Sequence, residues 1–485
     1  MAEVTQGLKP ERLWHYFEEI AKIPRASKNE REILAYIRRF AENRKLDYAQ
    51  DAAGNIVIRR EASPRFKDRP VIVLQSHVDM VCEKNENSSH DFETDPITLV
   101  LDDEWVKADG TSLGADNGIG IAAMLALLED REDEFGRIEC LFTVDEETGL
   151  TGAFNLDPSL IQGRLLVNLD TESSTTLYIG CAGGKDSDIL LPVAKVFTDG
   201  GMKSLRIAVR GLKGGHSGVE IHLGRANAIK LLARILNHLK LSYEFHVVSV
   251  TGGDKANAIP REAEAVIIVR PKDSTRVMEE FRLYSNTVLS EYERIEPGAR
   301  FECEECEDSG AALDRNSTDI LIRLLMAIPH GVIAMSAAVR DLVETSTNLS
   351  SVRTEERQVH IHTSHRSSIE SALEWVVDTH VAIASLASAQ CRQDEGYPAW
   401  YPDPDSQLLA KVKKAYRKVT GRDAHIKAIH AGLECGVIKK KFEGMDAVSV
   451  GPTIENAHSP DERVNIKSVE IFDAVLRETL REVYG

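Results

Sequence analysis

The stretch Val71-Ile-Val-Leu-Gln-Ser-His77-Val-Asp79 opens on a continuous apolar run rich in β-branched residues and closes on an imidazole and a carboxylate. A strand apolar on both faces belongs in the middle of a helix-covered sheet. Two more runs read the same way, Glu139-Cys-Leu-Phe-Thr-Val144 and Arg164-Leu-Leu-Val-Asn-Leu169, and each leads directly into acidic residues. Residues 119–128, rich in Ala and Leu, predict a helix between the first two strands. Strands alternating with helices predict an α/β fold whose sheet is mixed but mainly parallel.

Upstream, Leu13, Phe17, Ile20 and Ala21 share one helical face, and Ser27-Lys-Asn-Glu30 predicts a capping box ahead of the stripe Ile33, Leu34, Ile37 and Phe40. Gly54-Asn55 turns into the short strand Ile56-Val-Ile58. Downstream, Gly180-Cys-Ala-Gly-Gly184 reads as a hinge, after which the texture changes. Residues 204–210 and 357–363 alternate as strands with one exposed face do, and helices are expected over 226–239 and about 368–388. A strand–helix–strand order occurs twice there, compatible with a duplicated unit. Past Gly396-Tyr-Pro398 come a helix over 406–420, a Gly-rich turn over 432–436 and the strand Ala447-Val-Ser-Val450. The expected organisation is one α/β catalytic domain made of residues 1–185 and 400–485, interrupted by an α+β lid or dimerisation domain at 186–399.

A chain of 485 residues exceeds one ordinary core. A net charge of −18 argues against nucleic acid or anionic membrane as a partner, since both need a basic face. No run of about 18 apolar residues occurs, as a membrane span requires, and the N-terminus lacks an export pattern. With seven scattered cysteines, a reducing cytoplasm is expected. Cys303-Glu-Glu-Cys306 is crowded by acids that raise thiol pKa values, so a solvated acidic loop is expected there instead of a redox or zinc pair. Gly114-x-x-x-Gly118-x-Gly120 lacks dinucleotide-binding spacing, and Asn348-Leu-Ser350 fits a glycosylation acceptor only in an exported chain.

The chemistry resides in His77 with Asp79, Asp116, Glu146 with Glu147, Asp170 and His458. Singly, each has an ordinary explanation: a helix N-cap, a solvated turn, an incidental loop histidine. Together they fall where strand C-terminal ends converge on one crevice. Two imidazoles, two terminal carboxylates and one bridging carboxylate suffice for a two-metal centre. Such a centre lowers the pKa of a shared water towards about 7.

Ser76-His-Val-Asp-Met80, Gly114-Ala-Asp-Asn-Gly118, Asp145-Glu-Glu-Thr-Gly149, Asn168-Leu-Asp170 and His458-Ser-Pro460 follow in the order and approximate spacing of the M20 metallopeptidases. Gly211-Leu-Lys-Gly-Gly-His-Ser-Gly218 is similar to that family's lid motif. Asn257-Ala-Ile-Pro-Arg261, His430-Ala-Gly-Leu-Glu-Cys-Gly436 and Gly451-Pro-Thr453 resemble its bacterial aminoacyl-histidine dipeptidases, and the resemblance covers essentially the whole chain.

That resemblance implies cleavage of Xaa-His dipeptides, β-alanyl-histidine included, by a homodimer. Alternatives are a broader M20 peptidase, an N-acyl amino acid amidohydrolase, or an inactive peptide- or metal-binding relative. It implies that His77 and Asp170 hold one divalent ion, Glu147 and His458 the other, and Asp116 both. Zinc is expected first, with cobalt or manganese as alternatives. Asp79 would fix the His77 tautomer, Glu146 would be the general base, and His216 would donate to the oxyanion. Adjacent Glu146 and Glu147 divide labour if extended backbone points them apart, or through a loop geometry. Arg366 would grip the substrate's carboxylate or be a surface arginine. Asn257 would hold a substrate backbone group or form a turn. Gly432 and Glu434 would line the pocket, Glu434 facing a substrate amine, capping a helix or supporting the ligands.

Overall fold

Ile72–His77 is buried at every position and pairs in parallel on both sides, with Ile138–Thr143 and with Leu165–Asn168. The structure, a computed structural model, describes residues 4–130, 135–197, 201–307, 310–337 and 339–485. Asp446–Ser449, from the far end of the chain, extends the parallel run beside Leu165–Asn168. Ile56–Arg60 and Asp47–Gln50 close one side of this sheet antiparallel, and Thr176–Cys181 and His425–Ile429 close the other. Helix Ala115–Glu129 is apolar almost all round because it packs between Ile72–His77 and helix Glu11–Ala21. Helices Gln407–Thr420 and Ile466–Tyr484 pack on each other, the first also on Asp446–Ser449. A four-stranded antiparallel sheet, Leu99–Asp102, Trp105–Ala108, Arg463–Asn465 and Ile454–Glu455, carries the 456–462 loop.

The chain divides into two compact units: Met1–Cys181, Trp400–Ala428 and Leu433–Gly485 form one, Ala182–Ala399 and Ile429–Gly432 the other. The second is built on a nine-stranded sheet, antiparallel at each described pairing. Helices Ala228–Lys240, Pro271–Tyr292, Arg315–Ala327 and Glu370–Leu386 belong to it. Among the described residues no helix is long and apolar enough to cross a membrane.

Four local expectations are corrected. Residues 27–30 form no capping box: Ser27 Oγ donates to Asp79 Oδ2 at 2.8 Å, and Glu30 Oε1 accepts the N–H groups of Lys28 and Asp145. Tertiary partners take the side chains that would have capped Arg31–Arg44. The 180–184 hinge is two strands end to end, Thr176–Cys181 and Gly183–Pro192, with Ala182 alone between them. The Cys303–Cys306 segment is the edge strand Arg300–Cys306, not a loop, because Glu304 and Glu305 meet Arg206 and Lys203 on the adjacent strand at 3.1 and 3.0 Å. The expected turn at 432–436 gives way to helix Glu434–Lys441.

Candidate active site

The side chains expected to be catalytic or metal-binding in the first unit stand where its strands end. His77 is the last residue of its strand, Glu146 and Glu147 follow Ile138–Thr143, and Asp170 follows Leu165–Asn168. Asp116 lies at the start of Ala115–Glu129, where residues 116 and 117 depart from helical backbone angles. His458 lies in the 456–462 loop in left-handed backbone at φ 62°.

Asp116 is the centre of this group. Its Oδ1 lies 3.0 Å from His77 Nε2, and its Oδ2 lies 3.2 Å from His458 Nε2. Asp170 Oδ1 is 3.3 Å from His77 Nε2, and Glu147 Oε1 is 3.0 Å from His458 Nε2. Potential ligand atoms of His77, Asp116 and Asp170 lie within 4.8 Å of one another, as do those of Asp116, Glu147 and His458, and of His77, Glu146 and Glu147. Glu146 and Glu147 therefore reach the same place from a loop and are not splayed apart by extended backbone.

Asp79 does more than the sequence suggests. Its Oδ1 is 3.3 Å from His77 Nδ1, while the N–H groups of Glu146 and Glu147 donate to its two oxygens at 3.1 and 3.2 Å. The Asp79 carbonyl also faces Nδ1, at 3.2 Å, so Asp79 engages the ring nitrogen turned away from Asp116 and its carboxylate sets the loop that carries both glutamates.

Electrostatically the group holds more acid than its imidazoles balance. The carboxylates of Asp116 and Glu147, facing the ring nitrogen, push His458 up to about 11. Burial lowers His77, but Asp170, Asp116 and Asp79 outweigh it and raise its pKa well above the usual range. Burial pushes Asp170 up to about 6, and burial with the charges of Asp170, Glu147 and Glu434 raises Glu146 against the pull of His77. Glu147 Oε1 is buried and accepts no hydrogen bond of ordinary geometry. Mixed imidazole and carboxylate donors around one shared carboxylate fit a pair of divalent cations, which would supply the missing positive charge.

Three supporting residues escaped the sequence reading. Glu462 accepts four successive backbone N–H groups, from Leu113, Gly114, Ala115 and Asp116, at 2.8 to 3.2 Å. Buried Arg25 donates to the carbonyls of Val78, Asp79 and Gly114, tying the segments after His77 and before Asp116 together. Asn117 donates to Asp170 Oδ1. Asn117 lies inside the quoted 114–118 motif and Glu462 just past 458–460; Arg25 carries no local signal. Glu434 is fully buried and takes hydrogen bonds from Gln75 and Thr143 at 2.5 and 2.7 Å. Its other oxygen, Oε1, is buried without a hydrogen-bond partner.

The second unit gathers the other expected residues. His216 forms a short ladder, Gly215–His216, with Ala258–Ile259, and the Ser217 N–H donates to the Asn257 carbonyl at 2.8 Å. His216 Nδ1 accepts the N–H groups of Gly218 and Val219 at 3.0 and 3.1 Å, so the ring proton sits on Nε2. Burial, with the nearby Arg366 charge, lowers its pKa and keeps it neutral. Asn257 itself is exposed, on a loop held by Asn348 Nδ2 through the Ala258 carbonyl at 2.8 Å. Asn348 is buried inside Val343–Thr354, so the glycosylation pattern there is inaccessible. Arg366, in Gln358–Ser367, is 9% exposed and donates to Tyr397 Oη at 2.5 Å; it is no surface arginine. His430, buried and pushed down to about 3 by burial and by Arg366, lies 2.7 Å from Ser346 Oγ.

Residues 207–293 match the family described as peptidase dimerisation domain. The chain is 40% identical over 483 residues to the cytosol non-specific dipeptidase of Escherichia coli (strain K12), covering 100% of this chain and 99% of that protein. It superposes on the crystal structure of aminoacylhistidine dipeptidase from Vibrio alginolyticus with a TM-score of 0.91 at 39% identity, over 99% of this chain and 98% of that one. The fold extends to aminopeptidase PepT from Bacillus cereus, at a TM-score of 0.58 and 16% identity over 99% and 100% of the two chains.

Proposed function

The chain belongs to the M20 metallopeptidase family and is a dipeptidase, and on that premise we propose that it cleaves dipeptides with histidine in second position, β-alanyl-histidine included, at a two-cation centre. The observation that carries the reading is Asp116, whose two oxygens face two different imidazoles. His77 and Asp170 would hold one cation, Glu147 and His458 the other, with Asp116 common to both. Zinc suits this donor set, as do cobalt and manganese. Bound there, the cations would make a water acidic enough to attack at neutral pH and would polarise the scissile carbonyl.

The protein's own groups do the rest. Glu146 takes the water's proton and returns it to the departing amine, a service worth roughly 10²–10⁴-fold. Asp79 keeps His77 in the ligating tautomer. His216 offers an Nε2–H to the developing oxyanion, a donor role its neutral tautomer suits. Arg366 takes the substrate's C-terminal carboxylate, Asn257 a backbone group, and Gly432 lines that subsite. Domain roles follow the same division: residues 1–185 and 400–485 catalytic, 186–399 lid and dimerisation. The expected setting is a cytoplasmic homodimer that binds neither nucleic acid nor membrane.

The name of the Escherichia coli relative favours a second reading, a dipeptidase of broad preference. Steady-state kinetics on Xaa-His, Xaa-Leu and N-acyl amino acids separate the two. The first reading expects kcat/KM for Xaa-His to exceed the others by about tenfold or more, equivalent to about 1.4 kcal/mol. Equal values across dipeptides place the protein in the second. Glu146→Gln should retain metal and lose turnover; unchanged turnover would remove Glu146 from the mechanism.

A further inference from the structure

We propose that Tyr397 is a positioning residue for substrate recognition, one that turns Arg366 so that a single edge of its guanidinium meets the dipeptide's C-terminal carboxylate. The inference rests on the reading of Arg366 as the carboxylate grip.

Arg366 lies in register with Ser346 on one neighbouring strand and Gly184 on the other. Arginine is rarely this buried without an anion. Yet among the described residues no carboxylate pairs with it, and its Nε is buried without a hydrogen-bond partner. Among the described residues the one hydrogen bond given to its guanidinium is from Nη1 to Tyr397 Oη, at 2.5 Å. With Nη1 taken, the Nε and Nη2 N–H groups remain as a parallel pair, the geometry that binds a carboxylate through both its oxygens. His430 beside it stays neutral, so the pocket carries the charge of Arg366 without a second cation there.

The tyrosine ring is fixed by what its neighbours lack. A Cβ on Gly184 would approach the Tyr397 ring to 2.4 Å, and one on Gly432 to 2.8 Å. Gly184 and Tyr397 also exchange backbone hydrogen bonds at 2.8 and 3.0 Å. Both glycines thus abut the ring where any side chain would collide with it, and the hydroxyl reaches Nη1. Gly432, expected from the sequence to line a pocket, acts here by giving Tyr397 its place.

The test compares a dipeptide bearing a free C-terminal carboxylate with the same dipeptide amide, on wild type, Tyr397→Phe, Gly432→Ala and Arg366→Met. Wild type should favour the acid. Tyr397→Phe should cut the acid-to-amide ratio of kcat/KM about tenfold, mainly through KM for the acid, and Gly432→Ala should do the same by displacing the ring. Loss of a merely structural hydroxyl would slow acid and amide alike, and that result, or no change in the ratio, overturns the inference. Should Tyr397→Phe fail to fold, Gly432→Ala decides by the same ratio. If wild type and Arg366→Met treat acid and amide equally, the Arg366 reading itself fails and this inference falls with it. If only Arg366→Met shifts the ratio, Arg366 stands and Tyr397 does not.

Discussion

Glu462 shows how much one side chain can organise at a distance. Its two oxygens collect the N–H groups of residues 113–116 and so hold the backbone from which Asp116 projects. Glu462→Ala would leave four donors, three of them buried, without their acceptor, each buried loss costing about 1–3 kcal/mol where water cannot replace it. We expect a lowered melting temperature together with metal affinity reduced by roughly 10–100-fold, the usual effect of removing support behind a ligand. Unaltered metal affinity, measured by titration into the metal-free variant, would show that Asp116 holds its place unaided. At this scale the metal-type residues were legible in the sequence because their chemistry is rare and their motifs compact. Arg25 and Tyr397 were not, since an arginine or tyrosine in isolation carries no mark of its partner.

Among the elements, the strands that end at the candidate ligands were the most legible. An apolar run such as residues 71–74 has few alternatives to a buried strand. Ser27-Lys-Asn-Glu30 failed because a local motif competes with tertiary hydrogen bonds, and Asp79 and Asp145 won. Cys303-Glu-Glu-Cys306 failed because its acids find basic partners only across a ladder that brings in residues 203–206. The Gln358–Ser367 and Gly183–Pro192 pair gives an element-level prediction. His362 lies 2.9 Å from Asp188 Oδ1 and 3.3 Å from Asp186 Oδ2, and these two acids, Asp186 first, push its pKa up to about 9 against burial. His360, 2.6 Å from Asp188 Oδ1, shares that acid. A pKa raised on folding adds stability that is full below the unfolded value of about 6.5 and is lost as pH climbs through the folded one. His362→Gln should therefore destabilise more at pH 6 than at pH 10 in urea titrations. A loss of stability independent of pH would assign His362 a packing role alone.

Over the whole molecule, the proposed centre would draw its ligands from residue 77 to residue 458, which would link cation binding to folding of the first unit. Ions that bind only the folded chain stabilise it by about 2.7 kcal/mol at a hundredfold excess over the dissociation constant. Chelation should abolish dipeptide cleavage and lower the melting temperature, and zinc, manganese or cobalt added singly should restore both to differing degrees. Full activity after exhaustive chelation would end the two-cation reading. The sequence by itself determined the parallel strands, the helix-rich α/β character and the identity of the imidazoles and carboxylates, because side-chain periodicity and ligand chemistry are local properties. Only the tertiary structure decided that Asp116 faces two imidazoles, that Glu462 and Arg25 brace its loop and that Arg366 meets Tyr397. Each of those depends on hydrogen-bond partners far apart along the chain, and no short stretch of residues encodes which donor meets which acceptor.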